Sequence, residues 1–232
     1  MNYYTFLSKK NEKRNKRRGK GEEIKPYYTD IENTDYHEVG IDEVGRGPLF
    51  GRVYVACVIL PKMDNSFQYS LLKDSKRFSS EKKLLKVYEY IKKHALSYSV
   101  HYEDERTIDT HNILETTLRA MHKCLMKLSI EPNFILVDGD KFRPYKDIPY
   151  QCIEGGDDWY ASIAAASILA KVERDQYIYK LCIENPYLKV YYKIDKNKGY
   201  GTRDHLEGIR THGISPWHRK SFGICKTTPL HE

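Results

Sequence analysis

The stretch from residue 158 to 185, DWYASIAAASILAKVERDQYIYKLCIEN, constrains the fold more than any other part of the chain. It reads as one long helix, ended by Pro186, which lacks the backbone donor a further turn would need. Its alanine-rich middle lets the helix axis come close to a neighbour, as a helix laid on a sheet does. The text before it supplies the sheet. EVGIDEVG (38–45) reads as a first strand ending at a glycine turn, and RVYVACVIL (52–60) as a second, stopped by Pro61. SSEKKLLKVYEYIKKH (79–94) offers Ser79 or Ser80 as N-cap, then Leu84, Leu85, Tyr88 and Ile91 at helical spacing. LSYSVHYED (96–104) is a third strand and HNILETTLRAMHKCLMKL (111–128) an amphipathic helix. PNFILVDGD (132–140) and YQCIEGGDD (150–158) are short strands broken at glycines, and RDHLEGIRTHG (203–213) is a last helix with a C-terminal glycine. The order predicts a mixed α/β domain: a sheet opened by an antiparallel hairpin and continued by helical crossovers. In such sheets the working surface lies at strand ends and switch points.

Composition narrows the class. With 232 residues, 40% hydrophobic and 31% charged, the chain suits one sizeable core and a soluble life. No apolar run approaches the ~20 residues of a membrane span, and no apolar segment marks a secretory signal. Five scattered cysteines without a CxxC pair fit reduced thiols in a cytoplasm better than a disulfide framework or a zinc site. The formal net charge of +7 is matched by residues 9–20, KKNEKRNKRRGK, with eight Lys/Arg and one Glu. The basic balance therefore belongs to a tail. Such a tail can attract nucleic acid by releasing counterions, or be a solvated extension with no specific task; charge alone favours the second. Residues 1–35 are expected to be a basic flexible extension, and residues 36–232 the folded domain.

Acids stand where the expected strands break. Asp42 and Glu43 end the first strand, Asp138 precedes Gly139, and Asp157 follows Gly155 and Gly156. Strands carry these side chains to a sheet edge, and gathered carboxylates repel unless a cation sits among them. Oxygen ligands of this kind suit Mg²⁺ or Mn²⁺, and two such ions beside a phosphodiester could activate a water and stabilise the leaving oxygen. VDGD alone is more often a turn, and GGDD alone more often a helix cap. DEVGRG is harder to dismiss, because its paired acids and glycine-flanked arginine serve no evident packing need. Neighbours on a regular strand point to opposite faces, so Asp42 and Glu43 can share one ion only if the strand bends or Glu43 uses its carbonyl. There is no HExxH, no P-loop and no GxGxxG.

In order, GIDEVGRGPLFG, KDSKRFS, HNILETTLRAM, FILVDGD, GGDDWYASIAAASILAKVERD, GYGTRDHLEGIRTHG and HRKSFG resemble the motifs of ribonuclease HII, the type 2 ribonuclease H family. The resemblance runs from about residue 38 to 226. It implies a ribonuclease-H-like mixed sheet flanked by helices, with a small C-terminal helical region beside the basic N-terminal extension. It implies an endoribonuclease that hydrolyses the RNA strand of RNA–DNA hybrids. It also implies incision 5′ of single ribonucleotides in duplex DNA, as in ribonucleotide excision repair, leaving 3′-hydroxyl and 5′-phosphate ends. Carried over by motif, Asp42, Glu43, Asp138 and Asp157 are the catalytic, metal-holding acids, with Mn²⁺ or Mg²⁺ as cofactor. Gly45, Arg46 and Gly47 match the turn that reads the ribose 2′-hydroxyl and adjacent phosphate, and Tyr200 the tyrosine that senses the RNA-to-DNA junction. Lys76 and Asn112 are candidates for backbone contacts. The expected partner is nucleic acid, with no membrane, and the expected state a cytoplasmic monomer.

Overall fold

The computed structural model describes residues 23–31, 33–62, 66–72, 78 and 80–231. β1 (Glu38–Val44) and β2 (Val53–Ile59) form the antiparallel hairpin that their apolar patterning predicts. Every residue of β2 is buried. Tyr54, Ala56 and Val58 turn to one layer; Val55, Cys57 and Ile59 turn to the other. The period-2 pleat sends neighbours to opposite faces, so a strand covered on both sides reads as a nearly continuous apolar run.

The first face is covered by α1 (Glu81–His94), through Leu84, Val87, Tyr88 and Ile91. Ser80 is its N-cap and accepts a bond from the Lys83 N–H. β3 (Ser97–Glu103) pairs antiparallel outside β2. Two helices follow: α2 (Glu105–His111), capped by Asp104, and α3 (Ile113–Leu125), capped by Asn112. Ala120, Met121, Cys124 and Leu125 of α3 cover the second face. β4 (Phe134–Asp138) and β5 (Tyr150–Ile153) complete the sheet in parallel, giving the order β3-β2-β1-β4-β5. β1 is thus flanked by an antiparallel strand on one side and a parallel one on the other.

The long helix is α4 (Ala161–Glu184), lying on β1 and β2. Ala161, Ala164, Ala165, Ala166 and Ala170 have no exposure. The approach is close enough that a Cβ on Gly40 would overlap the backbone of Ser162 and Ile163. Beyond the sheet, α4 continues into a second cluster with α5 (Tyr187–Tyr192), α6 (Ile194–Asn197) and α7 (Arg203–His212), around Ile178, Leu181, Leu188, Tyr192 and Ile209.

Three boundaries differ from expectation. The helix expected over 158–185 starts at Ala161, because Gly156–Asp158 form a separate 3-10 turn. The helix expected over 111–128 is α3 alone, with the unforeseen α2 before it. Pro186 ends α4 but then serves as N-cap of the unforeseen α5, its φ of −58° and ψ of −28° being already helical. The basic run at 9–20 lies outside the described residues. The last part of the expected flexible extension, by contrast, packs on the domain. Lys25 N–H donates to Trp159 O at 2.8 Å, Ala161 N–H donates to Lys25 O at 2.9 Å, and Tyr28 stacks on Phe134 with ring centroids 5.5 Å apart. Aromatic burial there overrides a polar local composition. All five cysteines are free. Among the described residues no helix is long and apolar enough to cross a membrane.

Candidate active site

Parallel pairing of β1 with β4 sets Ile41 opposite Val137. One residue further on, the same register brings Asp42 beside Asp138. Asp42 is 4% exposed, and Asp138 ends β4 opposite Ile153 of β5. The chain then turns through Gly155 into the 3-10 turn that carries Asp157. The Gly156 N–H donates to Asp138 Oδ1 at 2.7 Å, tying that turn to the end of β4. Asp157, expected to precede the long helix, is held just before it and is 8% exposed.

These acids sense one another. Burial pushes the Asp42 carboxyl well above the usual carboxylate range; the charges of Asp138, Glu43 and Asp157 push it further, and a bond from Ser167 of α4 opposes them. Burial also raises Glu43, against the charge and hydrogen bond of Arg46 and with a contribution from Asp157. Although they are strand neighbours, Asp42 and Glu43 both sense Asp157. The Glu43 N–H donates to Asp42 Oδ1 at 2.7 Å.

The donor set is all carboxylate oxygen, the chemistry of a hard divalent cation, and the mutual repulsion is what such a cation relieves. Among the described residues no three His, Cys, Asp or Glu side chains already stand arranged to hold a metal ion. The donors fit the group chemically, and a cation would have to draw them together.

The glycine–arginine–glycine turn follows at once. Gly45 has φ of +97°, and a Cβ there would come within 2.9 Å of Arg52 O. Arg46 and Gly47 are exposed, and Arg46 Nη1 pairs with Glu43 Oε1 at 3.2 Å. Tyr200, 49% exposed, stands against this turn: its ring lies 3.6 Å from where a Gly47 Cβ would be. The Leu49 N–H donates to Gly199 O at 2.9 Å, pairing the two segments. The structure thus brings together the four acids, the turn and Tyr200. Asn112 is an exposed helix cap, its side chain accepting from the Glu115 N–H at 3.0 Å. Lys76 lies outside the described residues.

Sequence reasoning gave no role to the side chains that hold the turn from behind. Arg219 is 0% exposed, and donates to the carbonyls of Gly45, Arg46, Pro48 and Gly51 at 2.6–2.9 Å. Arg174 of α4, 1% exposed, donates to the carbonyls of Phe50, Arg52 and Lys198 at 3.0–3.2 Å. Burial and the neighbouring Arg174 push the Arg219 guanidinium down to about 9. The one available signal was position: Arg174 sits in the motif stretch ASILAKVERD, and Arg219 in HRKSFG.

The Ribonuclease HII family model matches residues 39–225. The ribonuclease HII of Parabacteroides distasonis is 46% identical over 187 residues, covering 81% of this chain and 90% of that one. A crystal structure of ribonuclease H2 from Pyrococcus horikoshii OT3 shares the fold with TM-score 0.66 and 23% identity, over 82% of this chain and 95% of that one. A ribonuclease HIII, Bst-RNase HIII, solved in complex with Mn²⁺, aligns with TM-score 0.56 and 17% identity, over 76% of this chain and 70% of that one. With carboxylates at the ends of β1 and β4, the turn after β1, and a family match spanning both sheet and C-terminal helices, the chain belongs to the ribonuclease HII family of endoribonucleases.

Proposed function

We propose that this endoribonuclease hydrolyses the RNA strand of RNA–DNA hybrids and also incises 5′ of a single ribonucleotide in duplex DNA. Water adds across the phosphodiester, leaving a 3′-hydroxyl on the upstream strand and a 5′-phosphate on the ribonucleotide. The observation that carries this reading is the contiguity of three parts: Glu43 at the end of β1, the exposed Arg46–Gly47 turn bonded to it, and the Tyr200 ring against Gly47. A 2′-hydroxyl is what distinguishes RNA from DNA at one nucleotide. An exposed glycine lets backbone reach that hydroxyl, and a guanidinium grips the phosphate beside it. Tyr200 presents an aromatic face to the next sugar.

Asp42, Glu43, Asp138 and Asp157 would hold divalent ions, Mg²⁺ or Mn²⁺; a ribonuclease HIII of the same fold has been crystallised with Mn²⁺. When bound, such ions supply a water of lowered pKa and neutralise charge on the leaving oxygen. The protein's own contribution is placement. The Gly156 N–H fixes Asp138, Ser167 fixes Asp42, and Arg46 exchanges Glu43 for a substrate phosphate. The free cysteines fit action in a reducing cytoplasm.

The test is a DNA duplex carrying one ribonucleotide, incubated with Mg²⁺ or Mn²⁺ beside an all-DNA control and the Asp157→Asn protein. A cut 5′ of the ribonucleotide by the unmutated protein alone is the expected result. Absence of cutting by folded protein with either ion, or equal cutting by Asp157→Asn, would remove the assignment.

A further inference from the structure

Resting on that reading of the turn and Tyr200, we propose that Ser215–Arg219 is a clasp coupling the two substrate-reading parts, with Arg219, His218 and His205 as positioning residues. Two adjacent side chains leave this segment, and each goes to a different reading element.

Arg219 goes to the turn. A guanidinium offers five N–H donors in one rigid plane, and here three of its nitrogens reach the carbonyls of Gly45, Arg46, Pro48 and Gly51. No salt bridge to a carboxylate forms on it among the described residues. A buried cation satisfied by carbonyls alone is an expensive way to brace a loop. What it secures is direction: the carbonyls of the turn are drawn inward, and exposed Arg46 and Gly47 are left to face the substrate. The backbone reinforces the grip, since the Arg219 N–H donates to Leu49 O at 2.8 Å and the Gly51 N–H to Trp217 O at 2.8 Å. Asp109 of α2 anchors the far side, accepting from the N–H groups of Lys220 and Ser221 at 2.9 and 2.8 Å.

His218 goes to Tyr200, through His205. Both rings are buried, at 1% and 0% exposure. The Ser215 N–H points at His218 Nδ1 at 2.9 Å. A backbone N–H can only donate, so Nδ1 accepts and the His218 proton sits on Nε2. At the other end His205 Nδ1 lies 2.9 Å from Tyr200 O. A carbonyl can only accept, so the His205 proton sits on Nδ1. Between them the two Nε2 atoms are 3.0 Å apart. His218 therefore donates to His205, and the chain Ser215 → His218 → His205 → Tyr200 carbonyl runs in one direction. Both tautomers follow from the fixed backbone groups at its ends. The Tyr200 carbonyl is held while its ring stays free to meet a sugar.

The clasp makes two predictions of different kind. Tyr200→Ala should cut single-ribonucleotide incision more than hybrid cleavage. His205→Asn keeps an amide donor near Nδ1 but lacks the Nε2 that accepts from His218, so it should act as a weakened Tyr200→Ala. Its ratio of single-ribonucleotide incision to hybrid cleavage, each as kcat/KM, should fall about tenfold, the worth of one buried hydrogen bond. Arg219→Lys should lower both activities together, mainly through KM, because one ammonium cannot span four carbonyls. In the Tyr200→Ala background, His205→Asn should leave the ratio where Tyr200→Ala put it, since residues acting through one contact are not additive. Should Tyr200→Ala itself leave the ratio unchanged, the reading of Tyr200 fails and the clasp with it. Should Tyr200→Ala shift the ratio while His205→Asn does not, or the two shifts add in full, the clasp alone is overturned. If a variant fails to fold, nitrogen NMR of the unmutated chain decides. The clasp requires Nδ1–H on His205 and Nε2–H on His218, and the opposite tautomer on either ring refutes it.

Discussion

Asp138 does two things at once: it raises the Asp42 carboxyl by its charge, and its Oδ1 accepts the Gly156 N–H. Replacing it with Asn separates them, because Asn retains an oxygen acceptor but not the charge. Asp138→Asn should therefore lose activity by on the order of 10²-fold or more. In metal-free buffer it should melt no lower than the unmutated protein, since a repulsive term has been removed. Incision assays with thermal melts check this, and a variant both active and destabilised would contradict the placement. At this scale the four acids and the arginine of the turn were candidates on motif, and the structure sets Asp42 where it senses Asp138, Glu43 and Asp157. Arg219 and the His205–His218 chain were not assigned, for a physical reason. Their partners are backbone carbonyls, one backbone N–H and a ring 13 positions away, and a backbone group leaves no signature in a sequence.

At the scale of elements, the hairpin, β3, α1, α3, β4, α4 and α7 follow from apolar patterning and punctuation: α1 and α3 bury one stripe, while β2, β4 and the start of α4 are covered all round and read as apolar runs. The unforeseen helices are short. α2 spans 7 residues and holds two threonines and an aspartate, while α6 spans only 4. Tertiary contacts decide such segments, not their own propensity. The contact between α4 and β1 depends on Gly40, whose missing Cβ leaves room for the backbone of Ser162 and Ile163. Gly40→Ala should lower the free energy of unfolding by about 3 kcal/mol, as overpacking against rigid backbone does. Denaturant melts measure this directly, and a loss under about 1 kcal/mol would mean that α4 yields more readily than its packing indicates.

At the scale of the whole molecule, the buried histidines set how stability follows pH. Burial and the neighbouring His205 push His218 down to about 3 from 6.5, and burial lowers His205 as well. The unfolded chain therefore binds more protons than the folded one as pH falls below 6.5, so stability declines through that window toward about 3. The raised carboxyls of Asp42 and Glu43 act with opposite sign and offset part of the decline. The histidine contribution is isolated by NMR: the His218 imidazole should stay neutral at pH 5 and His205 should titrate below 6.5, and titration of either at 6.5 would contradict their burial as a neutral pair.

One rod joins several parts of the candidate site. α4 is 24 residues long, roughly 36 Å at the usual rise. It begins just past Asp157, bonds Asp42 through Ser167, reaches the turn through Arg174, and ends among the C-terminal helices. Asp42 and the segment after β1 are thus both bonded to one helix, and Asp157 stands just before its start. On the function proposed above, the distance from the ribonucleotide to the cut is a length that this helix sets.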